Sequence, residues 1–283
     1  MTSKVIKALR INEVSLMTGF FVIGGIFAMD DINAETLLKL FWLCLLSFST
    51  VLSIYSFNAA AGIRDDGNNL RLQNLWGIKS KYFLGFAVLS FLVSMGVSLI
   101  LNTLIPAFTL IIIFIWILYS HPAIGLKRKA IWGTVIHFLG QVLHFNMAYL
   151  AFSNLGLDSV LISVFFALAF SSGHLLHEII DYDADFQAGL KTSAVKFGIG
   201  AIRNTGIIIL SLNVLLIIAL FISGIIEVAF YCFIIPAITH LLLFVVFNKD
   251  ISSKALFIRT VYRIVYFAGG AAFLLLSMFR ILT

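Results

Sequence analysis

Residues 178–192 read EIIDYDADFQAGLKT and place Glu178, Asp181, Asp183 and Asp185 directly behind a long apolar run. Charge at the end of an oily segment is costly to place and marks a functional site by default. On a helix, Glu178, Asp181 and Asp185 are three and four residues apart and share one face, and His174 extends that stripe by one turn. Hard carboxylate oxygens in this pattern suit Mg2+, which takes one or two carboxylates and fills its shell with water and substrate phosphate oxygens. Gly189 can end the helix, and Lys191 sets a cation nearby that can neutralise phosphate oxygens a metal leaves uncovered. Taken alone, DxxxD also fits a solvated helix end, so the surroundings must decide.

A second polar stretch, FNAAAGIRDDGNNLR at 57–71, offers the same kinds of group. Asn58 and Asp66 are eight apart, about two helical turns, and can face one way. Asp65 lies beside Asp66, and Arg64 and Arg71 add charge suited to phosphate. The string HLLHE at 174–178 is reminiscent of zinc-binding helices without matching H-E-x-x-H, so zinc is set aside. His174 serves either helix packing or the orientation of an acceptor. His144 with Gln141 and Asn146 makes a polar spot that suits hydrogen bonds across helices.

The elements that must carry these groups are membrane helices. Of the 283 residues, 61% are hydrophobic and only 11% are charged, with 28 phenylalanines and three prolines. The mean hydropathy is +1.08. Apolar runs between polar breaks predict nine spans, at roughly 12–29, 36–61, 81–101, 104–120, 131–152, 160–180, 204–223, 226–247 and 261–279. All but Lys39 and Arg280 of the nineteen Lys and Arg residues then fall on one side. The positive-inside rule makes that side cytoplasmic, with the N-terminus there and the C-terminus opposite. Both acidic stretches face the cytoplasm. Topology thereby accounts for the net charge of +6 without a nucleic-acid partner. Ahead of the first span, Val5, Ile6 and Leu9 alternate with Lys4, Lys7 and Arg10 as in a short helix lying on the membrane surface, and no cleavable signal peptide is visible. Cys44 and Cys232, far apart within apolar runs, read as small buried hydrophobes.

Three stretches together resemble the UbiA superfamily of intramembrane prenyltransferases. DYDADFQAGLKTSAVKFG at 181–198 is similar to the family's second aspartate motif, D-x-x-x-D followed by Gly-Lys/Arg-Thr and Val-x-x-Gly. YSHPAIGLKRKAIWG at 119–133 is similar to its Y-S-x-P…L-K stretch through Tyr119, Ser120, Pro122, Leu126 and Lys127. Residues 57–80 resemble the first motif, N-x-x-x-D-x-x-x-D, through Asn58 and Asp66. Gly62 stands where the central Asp belongs, and Asp65 is a neighbouring substitute. The likeness covers nearly the whole chain.

The resemblance implies an all-α integral membrane protein, a single domain over 1–283. Nine transmembrane helices would form a UbiA-type bundle around a central cavity open to the cytoplasmic side. It further implies Mg2+ held by Asp181, Asp185, Asp66, Asn58 and Asp65, and a prenyl diphosphate gripped by Lys127, Lys191, Arg71, Arg64 and Tyr119. An aromatic or other small or lipid acceptor would be prenylated within the membrane, with His174 and Glu178 on the acceptor side. The weakened first motif also leaves open a membrane terpene cyclase without an acceptor, or a non-catalytic isoprenoid-binding relative. A transporter fits less well, since its ion sites lie near the bilayer midplane on broken helices.

Overall fold

The structure is a computed structural model that describes residues 9–62, 79–226 and 228–282. It is all-helical, 84% helix. Among the described residues there is no strand, and one isolated backbone bridge joins Lys129 to Lys191. The helices in chain order are α1 (Ile11–Phe27), α2 (Ala34–Gly62), α3 (Ser80–Leu101), α4 (Ile105–Ser120), α5 (Trp132–Tyr149) and α6 (Leu157–Ile180). They are followed by α7 (Tyr182–Gln187), α8 (Ser193–Phe197), α9 (Ile199–Ser223), α10 (Ile234–Val246) and α11 (Ile251–Leu282). Short 3-10 segments cover Leu126–Arg128 and Val228–Phe233.

Lipid leaves a backbone no partner but itself, so apolar runs of this length become helices. Among the described residues, six stretches are long and apolar enough to cross a membrane: 34–62, 80–101, 157–180, 199–223, 228–246 and 251–279. Shorter apolar helices occupy Glu13–Phe27 and Ile105–Ser120. Helix α5 fills most of the expected stretch 131–152, and Gln141, His144 and Asn146 lower its apolarity.

Two helices begin well before their apolar windows. Helix α11 starts at Ile251 rather than near 261, because Ile251, Ala255 and Ile258 form a buried stripe on the core that includes Leu175, Ile179 and Phe244. Helix α9 starts at Ile199 rather than near 204, with Ile202 buried in the same core. A hydropathy window finds what lies in lipid, whereas a helix continues wherever one face still has something to bury.

The chain divides into two compact units, residues 1–127 with 143–154, and residues 128–142 with 155–283. In the first, α2 turns Ser47, Ser49, Thr50, Ser53 and Ser56 inward, and Ser53 donates to the Ala87 carbonyl of α3 at 2.9 Å. Small side chains let membrane helices approach closely, and a hydroxyl at such a contact can reach the main chain of the facing helix. In the second, α6 is buried on most of its circumference, and Phe165 and Phe166 pack edge-on against Phe230 and Phe233. Aromatic edges on faces hold such a core in register better than aliphatic contact alone.

Candidate active site

The acidic turn of the second unit is built where α6 stops. Asp181 leaves helical geometry at φ −91°, ψ 2°, and the chain resumes as the six-residue α7. The Asp185 amide donates to the Asp181 carbonyl at 2.9 Å, so the two carboxylates stand one turn apart. Both are half-buried, while Asp183 between them is exposed. Gly189 takes φ +69°, and the Leu190 amide reaches back to the Asp185 carbonyl at 2.9 Å. This six-to-one closure with a left-handed glycine is a Schellman ending, and it fixes the backbone of Asp185.

Glu178 has a different fate. The sequence sets it on the acceptor side, in line with Asp181 and Asp185. In the structure it is 6% exposed and both oxygens are committed elsewhere. Oε2 accepts from the Ala194 amide at 2.9 Å and Oε1 accepts from the Ser193 hydroxyl at 3.2 Å. Glu178 thereby caps the start of α8 from a distant helix. Thr192 occupies the N-cap position with extended backbone, the residue type that usually caps, yet its side chain makes no cap bond. The glutamate has taken the Ala194 amide that it could have used.

His174 lies 7% exposed beside this carboxylate. Its Nδ1 is 3.3 Å from the Thr134 hydroxyl and 3.8 Å from Glu178 Oε1, and its ring lies 4.2 Å from that of His137. A Cβ on Gly133 would sit 2.8 Å from His174 Cε1 and 3.5 Å from Glu178 Oε1. Only glycine lets the start of α5 come this close to the end of α6.

Two basic segments meet each other within the second unit, one of them just beyond the acidic turn in the chain. The Lys191 amide donates to the Arg128 carbonyl at 3.2 Å, and the bridge sets Lys129 beside Lys191. One further bond ties the loop down, from the Ile131 amide to Ser193 Oγ at 3.0 Å. Ser193 is the residue that sequence reasoning missed. The available signal was its place just after Thr192, where a short polar residue opens a helix.

In the first unit, Asn58 sits half-buried in the last turn of α2, and its Oδ1 accepts from the Ser120 hydroxyl at 3.1 Å. Tyr119, next to Ser120 at the end of α4, lies edge-on to Trp116 with ring centroids 5.1 Å apart. Lys127 is half-buried in the 3-10 turn. Asp65, Asp66, Arg64 and Arg71 lie outside the described residues, as do Lys4, Lys7, Val5 and Ile6.

Among the described residues, no three His, Cys, Asp or Glu side chains form a metal site by themselves. Asp181 and Asp185 offer a two-carboxylate set instead, and that chemistry fits Mg2+, which keeps waters and substrate oxygens in its shell.

The model of the UbiA prenyltransferase family matches residues 18–267. The chain belongs to the UbiA prenyltransferase family. Among solved structures, a UbiA homologue from Archaeoglobus fulgidus aligns over 99% of this chain and all of its own, with TM-score 0.75 and 18% identity. The same homologue bound to DMAPP and Mg2+ aligns over 95% of this chain and 99% of its own, with TM-score 0.72 and 17% identity. A structure concerned with digeranylgeranylglyceryl phosphate synthase in membranes aligns over 100% and 99%, with TM-score 0.73 and 16% identity. At these identities the structural likeness speaks for the UbiA fold, while the family rests on the sequence match. No curated protein matches the sequence.

Proposed function

We propose that this chain is a Mg2+-dependent prenyltransferase that moves a prenyl group from a prenyl diphosphate to a hydrophobic or aromatic acceptor inside the membrane. The observation that carries this reading is the pair of half-buried carboxylates, Asp181 and Asp185, one turn apart and closed by Gly189. Family membership and the A. fulgidus homologue's binding of DMAPP with Mg2+ support it.

Bound Mg2+ supplies charge that stabilises the departing pyrophosphate. Asp181, Asp185, Asn58, Asp65 and Asp66 would hold it. Lys191, Lys127, Arg64, Arg71 and Tyr119 would bind the diphosphate oxygens. The allylic C–O bond breaks with its electron pair leaving on pyrophosphate, and the acceptor's nucleophile bonds to the same carbon and loses a proton. Apolar walls exclude water, which would otherwise capture the cation. The whole chain, 1–283, acts as one domain with nine crossings and a cavity open to the cytoplasm, where its Lys and Arg residues gather.

The experiment is incubation of detergent-purified protein with Mg2+ and a panel of prenyl diphosphates, following pyrophosphate release with and without an extract of membrane lipids. Release that needs both Mg2+ and the extract, and that disappears in Asp181→Asn and Asp185→Asn, supports the reading. Release without any acceptor turns it toward a cyclase, and no release from any member of the panel overturns it.

A further inference from the structure

The basic loop at 128–131 and the segment at 191–194 are fastened to each other at two points in the second unit, and one of these is tied on to α6. The Lys191 amide binds the Arg128 carbonyl, the Ile131 amide binds Ser193 Oγ, and Ser193 Oγ in turn donates to Glu178. Glu178 also holds the next amide, that of Ala194. The arrangement keeps Ile131 at φ +73°, a left-handed conformation that a β-branched residue adopts only when its surroundings over-determine it. A buried carboxylate and a strained loop are both unfavourable by themselves, and the fold retains both to keep these two segments in contact.

What they bring together is two cations. Lys129 and Lys191 are partners in the parallel bridge, and both side chains are exposed. Like charges set side by side on paired backbone repel unless something neutralises them. Next to Lys191 in the chain is Thr192, 5% exposed, whose hydroxyl has no partner among the described residues, and Glu178 holds the Ala194 amide that it could have capped. Two exposed ammonium groups and a buried hydroxyl with a free donor suit a polyanion with several oxygens, to which lysine presents a compact point charge.

We propose that Lys129 joins Lys191 as a second cation on the substrate diphosphate, and that Glu178 is the positioning residue that sets the two lysines at one spacing. This rests on the prenyl diphosphate reading above. Lys129 touches the ligand, whereas Glu178 acts through Ser193 and the backbone of both segments and never meets it.

The test uses full-length protein in detergent with two readouts, affinity for inorganic pyrophosphate by calorimetry and steady-state kinetics with a prenyl diphosphate. Lys129→Ala should raise both the pyrophosphate Kd and the KM about tenfold with kcat changed less than about twofold, the signature of lost ground-state binding. Glu178→Ala should do the same, and Glu178→Gln should recover most of the loss, since its carbonyl can accept from Ala194 and its amide can donate to Ser193 Oγ. The double variant Glu178→Ala with Lys129→Ala should be no weaker than either single one, because groups acting as a unit are not additive. Lys249→Ala, an exposed cation elsewhere on the same unit, should bind as the wild type does.

Equal weakening by Lys249→Ala, unchanged affinity in Lys129→Ala, or a double variant about a hundredfold weaker through simple addition would overturn the pairing while leaving prenyl transfer standing. A wild type that neither binds pyrophosphate nor turns over any prenyl diphosphate brings down both readings. Should Glu178→Ala fail to fold, Ser193→Ala cuts the same link at one hydroxyl, and its KM must rise without a matching fall in kcat.

Discussion

The two units hold their candidate ligands in different ways. In the second, one carboxylate caps a helix of six residues and the other lies within it, the helix closed by a left-handed glycine, and a buried glutamate just upstream reaches a third segment. In the first, the described portion offers one amide, Asn58, on a helix of 29 residues, with one hydroxyl on its oxygen. Neighbouring carboxylates repel, and a short helix has little cooperativity of its own, so that end needs fastening from outside. A neutral amide on a long helix needs none. At Gly62 the resemblance to the family's first motif implies an aspartate, and this chain has none at that position.

The contrast is broken or upheld most directly by removing ligands from each side. Asp185→Asn and Asp181→Asn should each lower kcat/KM by roughly a hundredfold or more, the scale seen when a preorganised electrostatic group is lost from a transition state. Asn58→Ala should lower it by only about tenfold, since an amide contributes less to a metal than a carboxylate does. Measured with a prenyl diphosphate at saturating Mg2+, equal losses on both sides would show that the first unit carries as much of the chemistry as the second. The next largest effect falls on the bracing. Gly133→Ala puts a methyl against His174 and Glu178, where it would lie 2.8 Å from a ring carbon. Overpacking of this kind costs about 1–3 kcal/mol. Thermal unfolding in detergent should show a midpoint lower by several degrees, about 3 °C per kcal/mol. An unchanged midpoint would mean that the start of α5 can move away and that the close approach is not required.

Much of this was legible in the residues. Helix ranges followed from apolar runs, because lipid leaves the backbone no alternative to a helix. The backbone turn through Asp181, Asp185 and Gly189 was readable as one local device, since the bonds that shape it span a few residues. Glu178 was misplaced for a physical reason. Helical periodicity puts it on the face of Asp181, but periodicity carries no information about a hydroxyl and an amide donor fifteen and sixteen residues away at Ser193 and Ala194. Lys129 likewise carries no sequence signal, because the bridge that pairs it with Lys191 is a long-range contact. The early starts of α9 and α11 were missed because burial against protein, not lipid, sets them.

The finest test lies in the first unit, at the bond between Ser120 and Asn58. Ser120 is buried and donates to Asn58 Oδ1, which orients the amide and leaves the second lone pair of that oxygen available. Ser120→Ala removes the donor while its partner, half-buried, can turn to water. The change in stability should therefore be small, about 1 kcal/mol or less, as for an ordinary neutral hydrogen bond. If the bond serves only packing, activity should follow stability and hardly move. If it aims Asn58 toward a metal, the apparent Mg2+ requirement should rise by a few-fold, about threefold to tenfold, with the unfolding midpoint nearly fixed. An Asn58→Ala background removes the group being aimed, so Ser120→Ala should then have no further effect on Mg2+ dependence. A full additional loss in that background would place the serine's role elsewhere, in the packing of α4 against α2.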